Sequence, residues 1–275
     1  MSDPGPVSTL FRHIETLHGD RPWGSFLDAG TGRKSLEWIV TLPTERWAAL
    51  TAAGNMKRTL EASLGGAFRP QDRLLLGNWQ DESLFAHEVF DVVLMDYLIG
   101  AVEGFTPYWQ DRLFHRVRPH VGGRLYITAV EPYVPYAPRT ESERLVWEIG
   151  RLRDACMLLA GERPYREFPV DWVLRHLGQA GFRIVDVRHF PIRYRAKFVN
   201  GQLDMCLRRL PHLPDPDLAQ ALRGQVEALR AAALPVADSK AGLKAGADYV
   251  IAAEPLDDAH WRRPPPAQET ARDDT

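Results

Sequence analysis

The chain has 275 residues, 45% hydrophobic and 25% charged, with a formal net charge of −2. That is an ordinary globular composition, long enough for one domain with an insertion or small cap, and it exerts no global pull toward nucleic acid or an anionic membrane. Two cysteines, Cys156 and Cys206, are too few for a disulfide framework or a four-ligand zinc site and point to a reducing cytosol, while no apolar run approaches the roughly 20 residues that span a bilayer.

Met1 to Val7 is polar and lacks the basic-then-apolar order of a signal peptide. Thr9 to His18 is amphipathic and predicts a helix, leading into a first strand at Gly24–Asp28. Lys34 to Leu42 predicts the next helix, stopped near Pro43, and Trp47 to Ala52 a second strand. Asn55 to Leu64 follows as a helix closed by Gly65-Gly66, then a short third strand at Arg73–Leu76. Phe90 to Asp96 is the continuous apolar run that a buried central strand requires. Pro107 to Val117 predicts a helix with Pro107 near its first turn, Gly122-Gly123 a turn, and Arg124 to Val130 a fifth strand. Strand alternating with helix implies a doubly wound, mostly parallel α/β sheet with helices on both faces.

After Pro132 the character changes. Tyr133 to Pro138 is an aromatic loop, with helices predicted at Thr140–Ala160 and Val170–Ala180 and a strand at Phe182–Phe190. A polar linker and a helix at Asp217–Ala233 precede a last strand, Ala247–Ala253. Residues 1–262 thus read as one domain, with helical insertions at 133–168 and 191–244 as candidate substrate lids. Residues 263–275, with three consecutive prolines, read as a disordered tail.

The stretch Phe26 to Ser35 carries the chemistry. A short apolar strand ends in Asp28, and Gly30 and Gly32 turn into a helical pattern. Ligands of open α/β sheets sit beyond the carboxyl end of such a strand, and a turn without Cβ atoms lets them approach the backbone. A phosphate loop is excluded, because Arg33 stands where its second glycine belongs. A dinucleotide loop requires a third glycine, where this chain has Ser35.

Asp28-Ala29-Gly30-Thr31-Gly32 resembles the first motif of class I S-adenosylmethionine-dependent methyltransferases, an acid followed by Gly-x-Gly, although Lys34 replaces the usual next glycine. The resemblance spans roughly residues 24–132, 168–190 and 247–254, and implies a seven-stranded Rossmann-like sheet whose last strand is antiparallel. It implies S-adenosylmethionine as cofactor, with Asp28 organising the pocket near the methionyl end and Gly30, Thr31 and Gly32 admitting it. After the second strand, where the family places a ribose-binding acid, this chain offers only Asn55. Asn78 would meet the adenine edge and Trp79 its face, and Asp96, with Tyr97, stands at the loop facing the methyl donor.

Plainer roles compete for these residues. Asp28 can cap its own turn, Trp79 can be structural filler, and Arg33 and Lys34 can be solvated or reach the cofactor's carboxylate. Trp109, Trp147 and Trp172 sit on helical patterns and read as core. Near the insert, Tyr133, Tyr136, Arg153, Asp154, Tyr165 and Arg166 are candidate acceptor-site liners, while Arg144, Glu148, Arg151 and Asp154 can equally form a solvated ion-paired face. His189 reads as structural.

The expected activity is methyl transfer to a small-molecule O or N acceptor, with Asp96, Glu131 and Tyr133 as candidate catalytic groups. The insert's aromatic and arginine residues suggest a planar or anionic acceptor. Two rivals stand beside it: a nicotinamide-dependent oxidoreductase, and a noncatalytic module using its helical insert for a partner. Despite a local cluster at Arg193, Arg195 and Lys197, the absence of a basic stripe or an Asn-Pro-Pro-Tyr-like motif argues against nucleic acid. No metal site is expected.

Overall fold

Along β4 (Phe90–Asp96), Phe90, Val93 and Met95 enter one hydrophobic cluster and Val92 and Leu94 another. A strand buried on both faces needs helices on both faces, and the computed structural model, which describes residues 7–256, has that layering. On one face pack α1 (Thr9–His18), α2 (Arg33–Ile39) and α3 (Gly54–Leu64), through Ile14, Leu36 and Leu60. On the other pack α4 (Leu98–Ala101), α5 (Gln110–Val117) and α7 (Val170–Gln179), through Ile99, Phe114 and Val173.

The other strands are β1 (Ser25–Asp28), β2 (Arg46–Thr51), β3 (Arg73–Leu76), β5 (Val121–Val130), β6 (Phe182–Tyr194) and β7 (Leu243–Pro255). They form one seven-stranded sheet in the order β3-β2-β1-β4-β5-β7-β6. The first five run parallel, and β7 is antiparallel to both β5 and β6. The strand order reverses between β1 and β4, and the crevice beyond their carboxyl ends is where such sheets take ligands. Beside the sheet, α6 (Glu141–Leu159), α8 (Ala196–Arg209) and α9 (Pro216–Asp238) bury Ile149, Leu203 and Val226 in a third cluster.

Several boundaries differ from the sequence expectation. Gly122 and Gly123 lie inside β5 rather than in a turn. A Cβ on Gly123 would come 2.5 Å from Asp91 O, and one on Gly122 would come 2.8 Å from Val89 Cγ1. The glycines permit close strand approach where the β4–β5 register is irregular. Tyr108 has φ 63°, so the helix begins at Gln110 and excludes Pro107, while the unexpected α4 precedes it. Strands β6 and β7 pair as far out as Tyr194 with Leu243, and α8 occupies part of the expected polar linker. Helix α9 continues through Pro235 to Asp238. The tail expected at 263–275 lies outside the described residues.

Candidate active site

Backbone bonds hold the glycine turn at the sheet edge. The Ala29 N–H donates to Leu94 O (2.8 Å), and the Thr31 N–H to Leu50 O (2.6 Å). Ser35, which breaks the dinucleotide pattern, serves the start of α2: its Oγ accepts from the Gly32 N–H and donates to the Gly32 carbonyl, both at 3.1 Å. The two glycines do different jobs. A Cβ on Gly30 would fall 2.6 Å from Leu98 Cδ1, so Gly30 admits α4, whereas a Cβ on Gly32 would meet nothing within 4 Å. Gly32 leaves an open floor.

Above that floor lies a cavity of about 610 Å³, lined on this side by Gly30, Thr31, Gly32 and Thr51. A smaller hollow of about 100 Å³ adjoins it, sharing Gly30, Thr31 and Thr51 and adding Asn78, Trp79 and Trp109. Trp109 therefore faces a hollow as well as core. Asn78 is engaged with Thr106, its Nδ2 donating to Oγ1 at 2.9 Å. Trp79 donates from Nε1 to Ala29 O at 2.7 Å, and its ring carries the Arg116 guanidinium 5.5 Å from the centroid. The Trp79 face beneath Arg116 is thus already covered.

Asp28 is fully buried, and neither carboxylate oxygen has a hydrogen-bond partner. Burial pushes its pKa up to about 7, Asp96 adds to the rise, and the Ser35 and Thr31 hydroxyls offset it in part. An orphaned buried acid is costly without a partner. Asp96, at the end of β4, accepts from the Thr128 hydroxyl at 2.5 Å. It is pushed up to about 6, by burial first and by Asp248 in addition.

The far side of the cavity comes from distant segments. Asp248 on β7, Tyr194 on β6 and Phe198 on α8 line it, with Tyr97, Tyr133 and Arg153. Burial raises Asp248 to about 6, against the Tyr97 hydroxyl that faces it. Tyr97 has φ 49° and starts α4. Arg153 is nearly buried: Nε donates to Asp154 Oδ1 (2.7 Å), and Nη1 donates to Tyr133 Oη (2.9 Å) and Gln202 Oε1 (3.0 Å). A second hollow, of about 460 Å³, shares Asp96, Tyr97 and Asp248 as wall and is lined outside them by Lys34 and Arg193.

The structure thus brings Gly30, Thr31, Gly32, Asn78, Trp79, Asp96 and Tyr133 to the two adjoining hollows, while Asp28, two residues before Gly30, is fully buried and lines neither. Asn55 and Glu131 line neither. Asn55 is exposed in the first turn of α3, with Oδ1 accepting from the Met56 N–H (2.9 Å). Glu131 holds His189 Nε2 at 2.9 Å and the Val170 N–H at 3.3 Å. Arg33 and Lys34 pair with Glu37 at 2.6 and 3.5 Å. Asp248, Glu167, Tyr194 and Phe198 were missed, because nothing in their neighbours along the chain marks them; only strand register brings Asp248 and Tyr194 here.

No family model matches the chain, and no curated protein matches it in sequence. Among solved structures, a cyclopropane-fatty-acyl-phospholipid synthase-like protein from Lactobacillus casei ATCC 334 is similar, with TM-score 0.58, 12% identity, and 88% of each chain covered. A candidate methyltransferase from Bacillus halodurans C-125 aligns with TM-score 0.57 and 13% identity over 90% of this chain and 99% of that one. A mycolic acid cyclopropane synthase, solved with S-adenosylhomocysteine and CTAB, aligns with TM-score 0.51 and 15% identity over 89% of this chain and 83% of that one. The likeness is one of fold: the chain has the seven-stranded, Rossmann-like fold of class I methyltransferases.

Proposed function

We propose that the chain is an S-adenosylmethionine-dependent methyltransferase acting on a small-molecule O or N acceptor. The observation that carries this reading is the cavity over Gly30–Gly32, with the buried, unpartnered Asp28 carboxylate two residues before that turn. A ligand carrying positive charge would lower the cost of that buried acid, and the open floor at Gly32 leaves room for it. In this reading Gly30, Thr31 and Gly32 hold the methionyl end, and the small hollow at Asn78 and Trp79 takes the adenine. Thr51 and the backbone after it stand where an acid is usual, so the ribose has no carboxylate partner here. Asn55 and Glu131, which line neither hollow, are given no role in this reading.

When bound, the cofactor supplies a methyl group on a sulfonium, already strongly electrophilic. What remains for the protein is alignment, exclusion of water and, for an O–H or N–H acceptor, somewhere for the proton to go. Asp96 and Asp248 provide that place. Tyr133, tied to Arg153, forms part of the acceptor wall. The helices α6 and α8 close that side as a lid.

Strand order weighs against a nicotinamide enzyme. A sheet of the dinucleotide-binding order 3-2-1-4-5-6 has no antiparallel strand between its last two, whereas β7 is inserted between β5 and β6. Calorimetric titration with S-adenosylmethionine, S-adenosylhomocysteine and NAD(H) tests the reading. Micromolar binding of the first two alone is the expected result. Folded protein that binds neither would sink it and favour a noncatalytic module.

A further inference from the structure

Five charged side chains line the large cavity, and they are not equally matched. The buried cation, Arg153, is already neutralised, and the other, Arg166, sits at the exposed rim and shares its acid with Arg163. Arg153 lies 2.6 Å from Asp154 and 3.9 Å from Glu167, and Arg166 lies 3.6 Å from the buried Glu103 with its side chain 58% exposed. Asp96 and Asp248 have hydroxyl partners, Thr128 and Tyr97, but no cation within ion-pair distance among the described residues. From the outer hollow the groups facing this pair are Lys34, itself turned to Glu37, and Arg193. From β1 it is Asp28, a third acid without a partner.

The donor accounts for only part of this excess. Asp28 and Asp96 end β1 and β4, the strands beneath the donor in the proposed function, on which this inference rests. Asp248 lies on β7, beyond β5, opposite Val130. Its neighbours in the lining, Tyr97, Tyr194 and Phe198, present aromatic surface, which attracts cations by the ring quadrupole. An anionic acceptor would be repelled by the two acids, and a neutral one would gain nothing from them.

We propose that the acceptor is a small amine with an apolar body, its ammonium received between Asp96 and Asp248 and its body lying against Tyr194 and Phe198. The carboxylate takes one proton from the ammonium. The freed nitrogen lone pair forms the N–C bond to the methyl carbon as the C–S bond breaks, and that electron pair returns to sulfur, leaving a neutral thioether. The product is the protonated N-methyl amine, and the carboxylic acid then releases its proton to water. The planar or anionic acceptor suggested by the arginine-containing insert is replaced, because the buried Arg153 already has its acids and Arg166 lies at the solvent-exposed rim.

The test uses the full chain saturated with S-adenosylhomocysteine and three sets of near-isosteric probes with phenyl, indolyl and hexyl bodies. Each set ends in an amine, a carboxylate or an alcohol, as in 2-phenylethylamine, 3-phenylpropionate and 2-phenylethanol. At least one amine should bind about tenfold or more tightly than both of its isosteres. Asp248→Asn should erase that preference while binding S-adenosylhomocysteine within about twofold of wild type. No amine preference in any set, or a preference that survives Asp248→Asn, overturns the proposal. The wild-type comparison decides the matter even if the variant does not fold. Failure to bind S-adenosylhomocysteine at all is a different result, and takes the methyltransferase reading down with it.

Discussion

The two sides of the cavity are built by different kinds of contact. On the β1–β2 side the wall is backbone: the Gly30–Gly32 turn, pinned to Leu94 and Leu50 by main-chain bonds, with one side chain, Ser35, bonding both polar groups of Gly32. On the β7–β6 side the wall is side chains from separate elements, Asp248, Tyr194, Phe198 and Arg153, positioned by strand register and helix packing. Backbone walls select by shape and side-chain walls by charge. Substitutions on the two sides should therefore separate donor binding from acceptor chemistry.

Gly32→Val is expected to give the largest effect. Its φ of −122° suits a β-branched residue and its Cβ meets no protein atom, so the fold should persist. The added side chain would occupy the floor, and binding of S-adenosylhomocysteine should weaken by about 100-fold or more, roughly the 3 kcal/mol that a blocked contact of this size represents. Calorimetry beside a melting curve checks it. Undiminished binding would mean that the donor sits elsewhere.

Next comes the other side. Asp96→Asn should lower turnover by about 100-fold, the low end for loss of a positioned base, with S-adenosylhomocysteine binding much less affected. In the wild type, Asp96 and Asp248 are both pushed up to about 6. Turnover should then rise as pH climbs through that value and the carboxylates become able to accept a proton. A rate flat between pH 5 and 8 would remove both from proton transfer. Tyr133→Phe takes away the hydroxyl that accepts from Arg153 and should raise the acceptor KM by about tenfold, a charged hydrogen bond's worth, with kcat nearly unchanged. A fall in kcat alone would instead make Tyr133 a group that acts in the transition state.

The same division explains what could be read in advance. The glycine-turn side of the cavity was legible because its signals are local: an apolar run, an acid and two glycines within Phe26–Ser35. The central strands were legible for the same reason. The β7–β6 side was not, since Asp248 reaches Asp96 only across β5, and a helix as polar as Ala196–Arg209, interrupted by Gly201, hides its buried stripe of Val199, Leu203 and Cys206. Glycine misled where it served approach rather than turning, at Gly122 and Gly123. Asn55 and Glu131 were placed by position along the chain, and position does not show that Asn55 bonds the Met56 N–H or that Glu131 holds His189.

The last expected effect is read in stability rather than in binding, and tests whether the glycine-turn side stores strain as charge. Asp28 titrates at about 7 when folded against 3.8 as its ordinary value. Between those values the folded state holds the proton more tightly, so the stabilisation present at low pH is lost as pH rises, at up to about 1.4 kcal/mol per unit. Above pH 7 the loss levels off. Asp28→Asn removes this slope, but its amide enters the same partnerless site, which costs about 1–3 kcal/mol. The net gain above pH 7 should be about 1.5–3.5 kcal/mol, a melting point higher by several degrees for a domain of this size. The variant's advantage should shrink or reverse by pH 5, where wild-type Asp28 is protonated. Melting curves of both proteins from pH 5 to 8 measure the crossing. Parallel curves would mean that Asp28 is ionised throughout, its charge met by the surrounding dipoles rather than left for a ligand.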